Sequence, residues 1–271
     1  MKELPRIVSA IVLILLVYIS VEIGRFAVFF MICLFSFLVL WELGNNFFKL
    51  KTFQKMINHV VMGVLSLIFI FAVENQLLSS KIFLIAGALF NFLLLIYLFN
   101  KSPNKIMTKI VKRFPFILGI YVSVCLVSLT QIIYGESWLK YMTLLLLVTY
   151  GMDTGGWFFG KNFGKRKLSP SISPNKTIEG LIGGVFFSGV ISSAYLNYLG
   201  VNLSFPLFVG LCLIAGMTHL GDLAQSKLKR EVNIKDSSNL IPGHGGVFDR
   251  VDSLYFISPF FVLCIRYFLA F

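Results

Sequence analysis

Charge is scarce in this 271-residue chain: Lys, Arg, Asp and Glu make up 13% of it, against 57% hydrophobic residues. Soluble domains carry about 25% charged residues, so a water-facing surface is excluded for most of the chain. Aspartate is missing from the first 152 residues and occurs only as Asp153, Asp222, Asp236, Asp249 and Asp252. The four cysteines, Cys33, Cys125, Cys212 and Cys264, lie far apart, each inside an apolar run. Without paired spacing they support neither a zinc site nor a redox motif. No Gly-x-Gly-x-x-Gly occurs, because Phe248 breaks the series begun by Gly243 and Gly245. Gly155-x4-Gly160-Lys161 approaches a phosphate-binding loop, but Asn162 replaces the required Ser or Thr, and no strand precedes it; a P-loop NTPase is excluded. The net charge of +12 has no basic array with interleaved exposed aromatics behind it, and the 29 Phe fall mostly inside apolar runs. Nucleic acid is therefore not an expected partner.

What the chain does have is long apolar runs. A bilayer crossing needs about 20 such residues, and the pattern predicts nine, at 7–21, 26–43, 57–73, 82–99, 115–134, 138–157, 177–199, 205–223 and 251–270. The first is short for a full crossing. Nine crossings use about 180 residues and leave too little for a soluble domain. The expectation is one all-α polytopic membrane domain over 1–271, with 1–114 as helical scaffold and 115–271 as the catalytic region. The N-terminus superficially resembles a signal peptide but lacks a small-residue cleavage site, and is read as a retained first helix. With that end inside, only Arg25, Lys81, Lys140 and Arg266 of the 24 basic residues fall outside. Lys and Arg concentrate in cytoplasmic loops, which predicts a cell-membrane protein with its N-terminus and polar site facing the cytoplasm. Within residues 101–114, Lys101, Lys105, Lys109 and Lys112 recur at helical spacing, with Ile106, Met107, Ile110, Val111 and Phe114 on another face. That stretch is either an interfacial helix against anionic lipid headgroups or a solvated basic loop. Gly156, Gly160 and Gly164 repeat every four residues, a spacing that permits close helix approach and offers a homodimer surface.

The polar residues crowd into the C-terminal half. An ionisable group in or beside a membrane span costs about 2.5–3.5 kcal/mol and is functional by default. If the eighth span continues as helix, His219, Asp222, Ser226 and Arg230 share one face. Lys235-Asp236 follows, then Pro242-Gly243-His244-Gly245-Gly246, then Asp249-Arg250-Val251-Asp252 at the start of the ninth span. Carboxylates without His or Cys clusters suit Mg²⁺, which takes one or two carboxylates plus substrate phosphates. Lys229, Arg230, Lys235 and Arg250 are placed to neutralise phosphate oxygens, and the Gly-His-Gly-Gly turn can bring backbone N–H groups to an anion. His244 either stabilises that turn or takes part in catalysis. Ser173-Pro174-Asn175-Lys176-Thr177-Ile178-Glu179 opens the seventh span, where Thr177 or Asn175 caps the helix; its N-terminus is an anion site or an ordinary cap.

The run Ser226-x-x-Lys229-Arg230-x4-Lys235-Asp236-x5-Pro242-x-His244-Gly245-Gly246-x2-Asp249-Arg250-x-Asp252 resembles the signature of phosphatidate cytidylyltransferases. Asp153 to Gly160, Gly164-Lys165 and Ser173-Pro174-x-Lys176-Thr177-x-Glu179-Gly180 resemble the same family, although Gly156-Trp157 stands where Ala-Tyr is expected. The resemblance covers residues 150–255; before residue 110 only Trp41-Glu42 adds to likeness in hydropathy. It implies the reaction of CTP with phosphatidate to give CDP-diacylglycerol and pyrophosphate with Mg²⁺, in contact with membrane lipids. Under it, Asp222 and Asp249 hold the metal with Asp252 nearby. Lys229, Arg230, Lys235, Asp236, His244 and Arg250 complete the catalytic set, and Asp153, Ser173, Lys176, Thr177, Glu179, Ser226, Gly245 and Gly246 bind substrate. A CTP-dependent kinase of a lipid alcohol and a cation-coupled transporter are the competing expectations.

Overall fold

The computed structural model describes residues 4–74, 80–99 and 106–269. Ten α-helices contain most of them: α1 (Leu4–Ile23), α2 (Arg25–Glu42), α3 (Thr52–Glu74), α4 (Ser80–Phe99), α5 (Ile106–Arg113), α6 (Ile117–Tyr134), α7 (Trp138–Phe163), α8 (Ile178–Tyr198), α9 (Phe205–Glu231) and α10 (Phe248–Phe268). Among the described residues, eight helices are long and apolar enough to cross a bilayer, all but α5 and α7. The chain is an all-α polytopic membrane protein, as its hydropathy predicts. The ninth long helix, α7, has 26 residues, but Lys140, Asp153 and the glycines of its second half dilute its apolar character. Its ends nevertheless lie at opposite ends of the bundle: it begins beyond Gly135 and finishes with Gly160 and Gly164 against Thr177.

Several boundaries differ from the sequence pattern. The first helix is full length at 20 residues, because Pro5 and Arg6 fit the first turn of a helix that precedes the apolar stripe. Charged and amide residues likewise extend α3 back to Thr52, α7 on to Phe163 and α10 back to Phe248. A π-helical turn, Leu43–Phe47, continues α2. The segment after α7 forms a hairpin that the all-α expectation did not include. Its strands β1 (Lys167–Ser169) and β2 (Ser173–Thr177) pair antiparallel, with Lys167 opposite Thr177 and Ser169 opposite Ser173. Pro170 and Pro174 exclude an uninterrupted helix there.

The centre of the bundle is α6, 72% buried over its apolar window, with α10 at 61%, whereas α1 is only 6% buried. Peripheral helices turn large apolar side chains such as Phe26 and Leu67 outward, the surface that hydrocarbon solvates. The two bundle ends differ chemically. At one, Arg25 Nη2 donates to the Glu136 carbonyl at 3.3 Å. At the other gather the start of α1, the end of α2, the starts of α3, α8 and α10, and the end of α9.

Glycine brings α7 and α8 together. A Cβ on Gly184 would lie 2.8 Å from Gly156 N and from Met152 O, and one on Gly180 would lie 2.7 Å from Gly156 O. The four-residue glycine series is thus used within the chain, against α8, rather than left free for a second copy. Gly184→Val is expected to lower the melting temperature of detergent-solubilised protein markedly, because overpacking costs about 1–3 kcal/mol or more. Gly63→Ala, with nothing within 4 Å of the new methyl, should leave it unchanged.

Lys101 and Lys105 lie outside the described residues. Residues 106–113 of the basic segment are helix α5 rather than loop, with Lys109, Ile110, Lys112 and Arg113 exposed and Val111 buried. Its first turn is fixed to α9: Glu231 accepts from Thr108 N at 3.0 Å, Thr108 Oγ1 at 2.9 Å and the Tyr97 hydroxyl.

Candidate active site

The eighth apolar run does continue as helix to Glu231, so Asp222, Ser226 and Lys229 project from one face of α9 in steps of four and three. Lys229 Nζ lies 2.8 Å from Asp249 Oδ1 and 3.8 Å from Asp252 Oδ2. These two carboxylates are three residues apart in the first turns of α10, and all three side chains are largely buried. Two turns back along α9 from Lys229, Asp222 Oδ2 pairs with Lys176 Nζ of β2 at 2.5 Å, and Asp222 Oδ1 accepts from Ser226 Oγ at 3.3 Å. Two lysines and three carboxylates therefore alternate along one wall.

The loop between α9 and α10 is held by two acids. Asp249 Oδ2 accepts from Ser237 N at 2.6 Å, Ser237 Oγ at 2.9 Å and Gly246 N at 3.0 Å. Glu42, fully buried at the end of α2, accepts from Ser238 Oγ at 2.6 Å and Val247 N at 2.8 Å through Oε1. Its Oε2 accepts from Ser237 Oγ and Phe248 N, each at 2.8 Å. The first N–H groups of a helix lack intrahelical acceptors, and no side chain next to α10 caps it. Glu42 supplies that cap from 205 residues away. Gly246 has to be glycine here, since its Cβ would meet Ser237 Oγ at 1.9 Å and Glu42 Oε1 at 2.5 Å.

The Pro242–Gly245 turn is closed by an Ile241 N to Gly245 O bond of 2.8 Å, with Gly243 and Gly245 at positive φ. Helix α1 braces it: Arg6 Nε donates to the Gly243 carbonyl at 3.1 Å, and Ser9 Oγ lies 2.9 Å from the Pro242 carbonyl and 2.7 Å from His244 Nδ1. Of the two readings of His244, these contacts favour the turn-stabilising one.

Two cavities open at this end of the bundle, the smaller of them lined in part by Lys176 of the wall. The larger, about 680 Å³, is open, mainly polar and basic, lined by Arg6, Lys235, Asp236, Asn239, His244, Gly245 and Arg250 among others. The smaller, about 390 Å³, lies between the end of α7, β2, the start of α8 and α9. Asp153, Trp157, Lys161, Asn175, Lys176 and His219 line it, with Gly156, Gly160, Thr177 and Gly180. Lys176 faces this cleft while pairing with Asp222.

Other expected site residues serve local structure. Thr177 caps α8, accepting from Gly180 N at 3.1 Å. Glu179 Oε2 accepts from Lys165 N and Arg166 N, at 3.0 and 3.1 Å, and Oε1 pairs with Arg166 Nε at 3.1 Å, which fixes the turn before the hairpin. Arg230 donates to the Ile234 carbonyl at 3.3 Å, closing the end of α9, and Ser173 sits in strand pairing opposite Ser169. The structure does not bring these last three onto the lysine–carboxylate wall. It adds residues that sequence reasoning left out of the site: Glu42, Ser237, Arg6, Ser9 and Asn46, whose Nδ2 donates to the Ser237 carbonyl at 2.6 Å. The one available signal was Glu42, a lone carboxylate at the end of an apolar run.

The chemistry of the wall suits phosphates and hard cations. Asp222 fits a divalent ion, with an Oδ1 held only by one long hydroxyl contact. Asp249 already has donors on both oxygens, so ligation through it requires Lys229 to release Oδ1. Among the described residues no cluster of three His, Cys, Asp or Glu is arranged around a metal position.

Fold and site together define a multi-pass helical membrane protein with a pocket of lysines and carboxylates at one end of its bundle. The chain belongs to the Cytidylyltransferase family, whose model matches residues 4–268. It is similar to the phosphatidate cytidylyltransferase of Staphylococcus aureus (strain COL), 45% identical over 122 residues, which are 45% of this chain and 47% of that protein. It is 39% identical over 145 residues to the phosphatidate cytidylyltransferase of Bacillus subtilis (strain 168), 52% of this chain and 54% of the relative. For that of Staphylococcus haemolyticus (strain JCSC1435) the identity is 43% over 122 residues, again 45% and 47% of the two chains. The matched stretch spans about half the length of these relatives.

Proposed function

We propose that the protein transfers the cytidylyl group of CTP to phosphatidate, giving CDP-diacylglycerol and pyrophosphate, at a site facing the cytoplasm. The alternating Lys176–Asp222 and Lys229–Asp249/Asp252 wall carries this reading. It offers two buried or half-buried cations to phosphate oxygens and a carboxylate to a metal, at a bundle end where a lipid headgroup and a soluble nucleotide can meet. The phosphatidate oxygen attacks the α-phosphorus of CTP in line, the bond to the bridging oxygen breaks, and pyrophosphate departs with that oxygen. Phosphoryl-type transfer depends on positioning and charge neutralisation, and the chain provides both. Lys176 and Lys229 exchange carboxylate partners for phosphate oxygens, Arg250 and Lys235 add charge from the open cavity, and the Glu42-capped loop keeps the start of α10 in place. Mg²⁺ would be held by Asp222, and by Asp249 through the oxygen now bonded to Lys229; bound there, it neutralises charge on the nucleotide phosphates.

The test is transfer of label from [α-³²P]CTP into organic-extractable lipid by the purified full chain with phosphatidate and Mg²⁺. The expected result is lipid-dependent and metal-dependent label with equimolar pyrophosphate. Release of CDP with a phosphorylated lipid alcohol would instead establish the kinase, and cation uptake without nucleotide turnover a transporter.

A further inference from the structure

The smaller cleft contains a group for which the proposed chemistry has no use. His219 is only 6% exposed, on the α9 face that carries Asp222, and neither ring nitrogen has a hydrogen-bond partner. A buried polar group without a partner costs about 1–3 kcal/mol, so an imidazole in this position calls for a ligand that completes it. We infer that the cleft of Asp153, Trp157, Asn175, Lys176 and His219 is the cytosine-recognition subsite for the nucleotide, and that His219 reads the base.

The two cavities differ in the way that base and phosphates differ. The open one is polar and basic, with Arg6, Lys235 and Arg250 on its walls. The smaller is mostly apolar, walled by bare backbone at Gly156, Gly160 and Gly180 and by the Trp157 indole, with a few convergent polar groups. A small-molecule pocket has that composition, apolar walls with placed polar groups that fix orientation. Lys176 faces the cleft and pairs with Asp222, so a nucleotide whose phosphates lie on the lysine–carboxylate wall projects its nucleoside into this space.

The donors and acceptors match cytosine rather than uracil. Cytosine presents an amino donor at N4 and acceptors at N3 and O2. An ionised Asp153 only accepts, whereas neutral imidazole and the Asn175 amide each supply a donor. Asp153 therefore takes the N4 amino group, and His219 and Asn175 donate to N3 and O2. Uracil would turn its O4 carbonyl toward the Asp153 carboxylate, two acceptors face to face, and its N3–H would require His219 and Asn175 to present their acceptor atoms instead. A site built on hydrogen bonds rejects a mismatched analogue strongly.

This inference rests on the cytidylyltransferase reading, and two measurements on the full chain in lipid nanodiscs keep them separable: equilibrium binding of CTP and UTP without lipid substrate, and steady-state transfer. His219→Leu is expected to weaken CTP binding ~10- to 100-fold and to reduce the preference for CTP over UTP by at least ~10-fold. The KM for phosphatidate should stay within about twofold. Asp153→Asn, whose amide can donate to O4, should improve UTP relative to CTP. Should His219→Leu fail to fold, Asn175→Ala, at an exposed strand position, carries the same comparison. An unchanged CTP:UTP ratio in folded variants overturns the inference, as does a raised KM for phosphatidate alone, which would make the cleft a lipid-headgroup site. CTP-selective, His219-dependent binding without cytidylyl transfer would sustain the subsite and overturn the proposed reaction instead.

Discussion

Glu42→Ala is expected to reduce turnover by at least ~100-fold while the protein still inserts in membranes, although Glu42 touches none of the lysine–carboxylate wall. Its two oxygens accept four hydrogen bonds, from Ser237, Ser238, Val247 and Phe248. Removing the acceptor strips the buried Val247 and Phe248 N–H groups of their partner, while Ser237 Oγ keeps Asp249 Oδ2 at 2.9 Å. Each unsatisfied buried group costs about 1–3 kcal/mol. The loss falls on the loop and on the first turn of α10, which carries Asp249 and Asp252. A displacement of about 1 Å in a positioned group is enough to lose ~100-fold in rate. Insertion should survive, since the change makes α2 more apolar. Glu42→Gln keeps the shape but turns an NH2 group toward donors, so it should recover little activity. The measurements are kcat and KM for both substrates together with amide exchange: faster exchange confined to residues 237–250, with α6 still protected, marks a positioning residue. Full activity in Glu42→Ala would mean that Asp249 and the turn glycines hold the loop without it.

Glu42 also shows where the sequence could and could not be read. Helices emerged from apolar runs because a bilayer crossing imposes length and hydropathy on each segment separately, and all the expected spans correspond to helices. Helical period alone placed Asp222 and Ser226 on one face of α9 but named Arg230 as its last member; the structure puts Lys229 there instead, and Arg230 turns back to the Ile234 carbonyl. The contacts that complete the site join residues about 190 to 240 positions apart, such as Ser9 with His244 and Asn46 with Ser237, and no local period encodes them. The hairpin at 167–177 was missed because its strands are three and five residues long, too short for an alternating pattern to stand out. The glycine series of α7 was legible as a close-packing surface, but its partner was not: one sequence cannot say whether a bare helix face meets a neighbouring helix or a second copy.

The other large effect is expected at Lys229. Its ammonium lies between Asp249 and Asp252, at 2.8 and 3.8 Å, with side-chain exposures of 11%, 5% and 11% in that order. Lys229→Met should abolish transfer and also lower thermal stability, because removing one partner of a buried ion pair costs about 3–5 kcal/mol through the charge left behind. Those two consequences separate in a double variant. Adding Asp252→Asn removes one uncompensated carboxylate while preserving its size and its backbone role, the acceptance by Asp252 O of the Gln225 amide at 2.7 Å. The pair Lys229→Met with Asp252→Asn should therefore regain much of the lost melting temperature, yet show no turnover beside an Asp252→Asn single variant that keeps some, if the ammonium is needed on substrate phosphates. Asp249 keeps three donors from the loop in that variant, so the start of α10 stays anchored and a dead enzyme cannot be blamed on a collapsed loop. Recovery of both stability and turnover would show that Lys229 only balances charge, and the phosphate-binding role would then pass to Lys176 and Arg250.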